Sequence, residues 1–403
     1  MREGYFADSF IIERIEVING ASAVQGMGAT GGIINYITKT PRSNGTVHGV
    51  SVRASTQFRS DNLDWKTGYS IAHKSDAFDL FGYAAVQQRG MGYDANGRRL
   101  GIDTVQGDTL DTHGDDLFFK VGKSFGAQRL QLSLNCFHLE GDGDYINDPG
   151  VPASGVPTSS LRGTPVGHTT GNKVRSASLD YRHAELAGGA LTAQLFSHDF
   201  TALYGASNVA TFQGKRLATP GTLWDQSQIV ADKVGSRLTF VRPDTFITGL
   251  EATVGLDVLR DQTEQSLALT GRAWVPLLKF HSTAPFAQLE YEFGPVTIRG
   301  GVRHEMARLR VDTYTTLAAY GSRVVAGGAA KFSESVTNIG AIWRFAPEWS
   351  VFVASAEGFG LPDAGLVLRA VSKPGQSVSS LISLEPVVTR NNEAGLTWRG
   401  ARG

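Results

Sequence analysis

The chain has 403 residues, with 38 Lys and Arg against 38 Asp and Glu and a hydrophobic content of 41%. The balanced charge implies no nucleic-acid partner, and no run approaches the ~18 consecutive apolar residues of a transmembrane helix. Forty-eight glycines fall between and within short alternating segments, which suits β-structure rich in turns.

Residues Met1 to Phe10 lack the basic start and apolar core of a signal peptide. The run from Ile12 to Ile18, with Glu13, Arg14 and Glu16, is extended in pattern, and a glycine-rich turn follows from Gly20 to Gly32. A second extended run, Ile33 to Lys39, carries Asn35. Gly26, Gly28 and Gly31 match G-x-G-x-x-G formally, but a dinucleotide site needs a helix next, and the residues after Gly32 are β-branched. The glycines read instead as permitting tight turns in a compact segment.

From about Gly45 onward the dominant signal is period-2 alternation, which puts apolar and polar side chains on opposite faces of strands. Leu130, Leu132, Leu134 and Cys136 alternate with Gln131, Ser133 and Asn135. The pattern recurs in Ala177, Leu179 and Tyr181, in Ala252, Val254 and Leu256, and in Ala287, Leu289, Tyr291 and Phe293. Cys136, the one cysteine, reads as a small hydrophobe in such a strand and excludes a disulfide framework. The segments number about fourteen and run to about ten residues or more, the length a tilted membrane-spanning strand requires.

The connections sort by parity. Short turns are expected at 74–77, 124–128, 182–190, 242–246, 293–296 and 345–349, and long polar loops near 90–113, 141–172, 205–225, 262–276, 312–330 and 358–388. Outer-membrane barrels have this asymmetry between their rims, and soluble sandwiches have no reason for it. Only the connection near 59–62 is short where a long loop is due. Aromatics near strand ends, among them Trp65, Phe78, Phe81, Tyr83, Tyr291, Phe293, Trp343, Phe345 and Trp349, suit an interfacial girdle.

Chemical motifs are few. The carboxylates of 141–148 do not have EF-hand spacing, and the nine histidines include no H-E-x-x-H. Neither a G-x-S-x-G element nor a phosphate loop occurs, so an enzyme is not expected. Glu290 and Glu292 share one strand face, which a barrel would turn to its hydrated interior.

The order of Ile12-Glu-Arg-Ile-Glu-Val, a glycine-rich turn with Gly20, Gly26, Gly31 and Gly32, and Ile33-Ile-Asn-Tyr-Ile-Thr-Lys resembles the end of the plug of TonB-dependent outer-membrane receptors. Weaker matches follow in family order at 286–305, at 351–362 and at 384–396. The chain departs from the pattern at Asn19, where Arg is usual, at Ala21, at Gln25 and at Glu385-Pro386. The resemblance implies an all-β fold, an antiparallel transmembrane β-barrel with about 14 of about 22 strands, preceded by the C-terminal part of a plug. It divides the chain at 1–42 and 43–403. On this reading the chain is an internal fragment lacking the signal peptide, TonB box, early plug and closing strand, and its open sheet edges would be costly in lipid.

The implied activity is TonB-driven import of a ferric siderophore across the outer membrane of a Gram-negative bacterium. The TonB complex would act through the missing N-terminal segment and lipid would surround the wall. Vitamin B12, haem or an oligosaccharide are alternative cargoes, and a passive porin, a soluble carbohydrate-binding sandwich or a non-functional truncated receptor are alternative classes. Neither cofactor nor catalytic metal is expected, since the ligand brings its own iron. For a chelate, the aromatic and basic residues of the long loops are the candidate contacts: Tyr93, Arg98, Tyr145, His168 and Trp224.

Overall fold

A computed structural model describes residues 6–19, 32–103, 105–382 and 387–400. Gly20, Gly26, Gly31 and the 384–386 element lie outside the described residues. The chain opens with the hairpin β1 (Ile12–Asn19) and β2 (Gly32–Thr38). There follow β3 (Gly45–Thr56), β4 (Leu63–Lys74), β5 (Asp79–Arg89), β6 (Thr112–Phe125) and β7 (Gln128–Gly141). A loop hairpin, β8 (Tyr145–Asp148) and β9 (Ser159–Arg162), precedes β10 (Gly171–Leu186), β11 (Gly189–Ser207) and β12 (Asp225–Arg242). The series continues with β13 (Leu250–Leu267), β14 (Arg272–Phe293), β15 (Val296–Val311), and the short pair β16 (Tyr314–Thr315) and β17 (Val324–Val325). Then come β18 (Gly328–Ala346), β19 (Trp349–Gly360), α1 (Ala364–Arg369), α2 (Val378–Leu381) and β20 (Val387–Trp398).

Setting the three small hairpins aside, the remaining strands form one 14-stranded antiparallel meander in which each strand pairs with its neighbours in sequence. Its two edges, β3 and β20, do not pair with each other. The short turns fall at 75–78, 126–127, 187–188, 243–249, 294–295 and 347–348, all at one rim. The opposite rim carries 90–111, 142–170, 208–224, 312–327 and 361–382, together with the short connections 57–62 and 268–271.

One expected long loop is a strand extension. Over 262–276 the ladder continues, and β14 reaches 22 residues. Thr263 pairs with Leu278 and Gln265 with Val275, so β14 carries an extra residue there and Pro276 sits within the irregularity. A bulge is where a strand tolerates a residue without an N–H, and the two strands run through the stretch expected as a loop.

The register assigns the two faces. Val254, Leu256, Val258, Leu289, Ile298, Val302, Ile339, Val353 and Leu396 share the outer face and are exposed. Cys136 lies on that face too, and is exposed. The inner face carries charge: Arg303 donates to Asp257 at 2.7 Å and to Glu305 at 3.0 Å, and Glu290 pairs with Arg299. An apolar outside around a polar inside is the inverse of a soluble protein and the arrangement of a wall between lipid and a hydrated lumen. At the short-turn rim, Phe78, Tyr291, Phe293, Trp343, Phe345, Trp349 and Trp398 form the aromatic row. Phe81 and Tyr83 do not belong to it: they face inward, 5% and 2% exposed, because Ile11 and Phe10 cover them.

Two segments fill the inside of the sheet. Residues 6–12 lie against the inner face of the sheet, where Phe10 stacks on Tyr83 and Phe6 packs against the cluster that holds Phe137 and Phe200. Residues 359–382 lie against β14, β15 and β18, with Leu368, Val371, Val378 and Ile382 on Phe280, Leu309, Phe332 and Val336.

Candidate functional site

The long-loop rim builds a cavity of about 410 Å³ among loops 90–111, 142–170 and 208–224. Tyr145, His168 and Trp224 line it together, with Ile102, Leu110, Ile146, Pro165 and Val166 between them. Three of the five residues expected from sequence therefore share one wall. Tyr145 is buried, while His168 and Trp224 present exposed rings.

His168 is held by its backbone. Gln226, at the start of β12 and fully buried, accepts from the His168 N–H at 2.7 Å, and its Nε2 donates to the His168 carbonyl at 2.8 Å. The same Nε2 reaches the Tyr204 carbonyl at 3.0 Å, so one amide ties loop 142–170 to β11 and β12. Nothing in the sequence around Gln226 marks it, because its role exists only once the two rims of the loop meet.

Tyr145 is fixed from the other side by Asp61. Its hydroxyl donates to Asp61 Oδ2 at 2.7 Å, and the Tyr93 hydroxyl donates to Oδ1. Arg99 completes the node through Nε and Nη2, at 3.1 and 2.7 Å, and donates through Nη1 to the Ser160 carbonyl at 3.0 Å. Its guanidinium lies 4.8 Å from the Tyr145 ring and 5.7 Å from the Tyr93 ring. Burial works to raise the Asp61 pKa, but the bonds from Tyr93, Tyr145 and Arg99 outweigh it and hold the carboxyl down at about 2. Burial, then the bond to Asp61, pushes Tyr145 up to about 12, so it stays a neutral donor.

Arg98 stands apart from this node. It approaches Asp94 at 3.6 Å across the turn 94–97. The local hairpin explains why the next residue is the one engaged: Tyr93 and Arg99 form an antiparallel bridge, which aligns their side chains, and Arg98 then points away. The turn signal at Asp94-Ala95-Asn96-Gly97 carries this information.

The acids of the cavity are mostly used by the loop itself. Asp103 accepts from the Val105 and Gln106 N–H groups, and Asp108 from those of Thr109 and Leu110. Burial holds Asp111 above the usual carboxylate range despite the N–H of Asp144, and the charges of Asp142 and Asp144 add to the rise. What remains for a guest is aromatic and imidazole rings, aliphatic wall and one hard-to-ionise acid, a surface suited to recognition of a mixed polar and apolar molecule. Its volume falls within the range of small-molecule sites.

A strand meander with an apolar outer face, an aromatic rim, a charged inner face and ligand-sized space in its long loops defines the wall of an outer-membrane β-barrel. Residues 137–403 match the family model described as TonB dependent receptor-like, beta-barrel, and the chain belongs to this family. The family is one of receptors and transporters, found in the outer membrane of Gram-negative bacteria. The rhizobactin receptor of Rhizobium meliloti is 25% identical over 88% of this chain, and the ferric aerobactin receptor of Klebsiella pneumoniae 23% identical over 89%. The chain spans about half of each, 52% of their length. Among solved structures, the copper transporter OprC superposes with a TM-score of 0.70 at 14% identity, covering 97% of this chain and 57% of that one. The FrpB iron transporter of Neisseria meningitidis gives 0.70 at 15%, covering 98% and 60%. At such identities these likenesses concern the fold.

Proposed function

We propose that this chain is the ligand-facing part of a TonB-dependent receptor that binds a ferric siderophore at its outer loops and imports it. Residues 1–42 would be the end of the plug and 43–403 barrel wall. The observation that carries the reading is the cavity in the long loops, where Tyr145, His168 and Trp224 converge. The names of the relatives, receptors for rhizobactin and ferric aerobactin, support the choice of cargo. Rings and aliphatic wall would hold the organic shell of a chelate, and the iron arrives as cargo already coordinated. Import would then need the TonB complex to act on a segment N-terminal to the hairpin β1–β2.

The test is uptake of iron-55 as ferric rhizobactin or ferric aerobactin by iron-starved cells expressing the receptor as its own coding sequence provides it. Substituting Trp224→Ala together with His168→Ala is expected to weaken binding about tenfold or more, since an aromatic anchor in a pocket contributes about 2 kcal/mol. Unchanged binding and uptake in that variant would remove the loop cavity from the mechanism, and uptake of haem or vitamin B12 in place of either chelate would replace the cargo.

A further inference from the structure

The outer face of β13, β14, β15 and β18 changes character along its length. Near the short turns it shows Tyr291, Ile298 and Trp343, and farther up Leu289, Val302 and Ile339. A polar zone follows, with Thr283, Ser333, Ser335 and His304, whose Nδ1 shares a hydrogen bond with the Ser335 hydroxyl at 2.9 Å. Above it the register sets Arg260 opposite His281, His281 opposite Arg308, and Arg308 opposite Lys331. All four are exposed.

Like charges directly opposite on adjacent strands destabilise a sheet, and Arg308 and Lys331 are such a pair, so this part of the row calls for an anion. The protein supplies little. Asp312 engages Lys279 at 2.5 Å and Arg310 at 3.5 Å, one row higher. Asp232 and Glu264 share the outer face farther round, opposite Gln262 and Val230. Among the described residues the Arg260 side chain reaches only Gln262, at 2.9 Å, and the side chains of Arg308 and Lys331 have neither an ion pair nor a hydrogen bond. The row also borders a depression of about 380 Å³, lined by His281, Met306, Arg308, Lys331 and Ser333.

Height identifies the occupant. His281 and Tyr291 stand on one outward row of β14, about ten residues apart, which at ~3.3 Å per residue and a tilt of about 40° is about 25 Å of vertical rise. That equals the height of the apolar band of an outer-membrane barrel. With Tyr291 at the lower interface, the basic row lies in the headgroup layer of the outer leaflet. The geometry points to a site for the phosphate groups of the outer-leaflet glycolipid, held by Arg308 and Lys331 with His281 and Arg260 flanking and the acyl chains running down over Met306 and Val302. The proposal concerns the outside of the wall and is independent of what the loop cavity binds.

Native mass spectrometry of the whole receptor tests it, with bis-phosphorylated lipid A, its dephosphorylated form and inorganic phosphate as probes. The expected result is retention of phosphorylated lipid A, about tenfold weaker retention in Arg308→Gln/Lys331→Gln, and near-native retention in the charge-keeping Arg308→Lys/Lys331→Arg. Dephosphorylated lipid should bind the native receptor as weakly as phosphorylated lipid binds the neutralised variant, an arm that needs no substitution. Equal binding of the two lipids, or equal retention by native and neutralised receptors, would overturn the proposal. Inorganic phosphate displacing the lipid at equal concentration would mark the row as a general anion site and would overturn the lipid assignment.

Discussion

The inside of this wall is filled twice, by different means. Residues 6–12 add polar anchors to the packing of Phe6, Phe10 and Ile11: the Asp8 N–H donates to Asp116 at 2.6 Å, Tyr83 donates to the Asp8 carboxylate at 2.8 Å, and Lys66 pairs with the same carboxylate. Lys120 reaches the Thr38 carbonyl at 3.1 Å and Asn135 the Phe6 carbonyl at 3.1 Å. Residues 359–382 are held by an apolar cluster in which Leu368 and Val378 are fully buried. Charged contacts are specific in direction and exchangeable for water once parted, whereas apolar burial is neither. A segment that must leave and return suits the first kind of contact, and a loop that must stay suits the second. Under the proposed function, the first segment belongs to the part that moves.

The most damaging single change should fall on the polar side. Lys66→Met leaves the buried Asp8 carboxylate without its cation, beside Asp116, and breaking a buried pair costs about 3 to 5 kcal/mol. Hydrogen exchange should show 6–12 losing protection while 364–382 keeps its own. Loss of protection in both would mean the two fillings are one cooperative unit.

The converse substitution is Leu368→Ala. It opens a cavity between α1 and the inner wall and is expected to cost about 3 kcal/mol, with exchange rising across 361–382 and unchanged at 6–12. A cost well under 1 kcal/mol would mean the helix is not anchored by its apolar face.

The loop node should respond to acid in a defined direction. The Asp61 pKa is lowered in the folded protein to about 2, below the ~3.9 of an unfolded aspartate. Its contribution is therefore complete above about pH 4 and lost as pH falls toward 2. Proteolysis of loops 90–111 and 142–170 with an acid-active protease should accelerate across that window, and Asp61→Asn should make them equally labile at pH 4 and pH 7. Removing the charge of a bonded carboxylate costs about 1.5 to 3 kcal/mol. Acid resistance of the loops down to pH 2 would sink this account.

How much was legible follows the same division between regular and contingent contacts. The strands and their faces were readable because period-2 alternation is a property of each strand alone, as in Leu130 to Cys136. Where a strand broke its own pattern, as at Pro276, reading failed. Phe81 and Tyr83 were misjudged as girdle residues because aromatics suit an interface and a buried stack equally, and only the covering Phe10 decides. In the site, Tyr145, His168 and Trp224 were accessible as rings in long loops. Gln226 and Asp61 were not, since each acts across more than one loop and neither has a local signature.

The smallest effect is the sharpest test of that local reasoning. Arg98 and Arg99 are neighbours of identical chemistry, yet the bridge between Tyr93 and Arg99 gives them different sides of a narrow hairpin. Arg98→Ala should change stability by less than about 0.5 kcal/mol, because among the described residues its side-chain partner is Asp94, across an exposed turn. Arg99→Ala removes two bonds to buried Asp61 and the cation between two tyrosine rings, so its cost should be several times larger and should appear as faster exchange in both 93–99 and β8. If the two alanine variants behaved alike, the hairpin register would be wrong by one residue. Tyr145 would then be held by its hydroxyl bond to Asp61 without the guanidinium beside it, and the loop cavity would lose one strut to the first connection of the sheet.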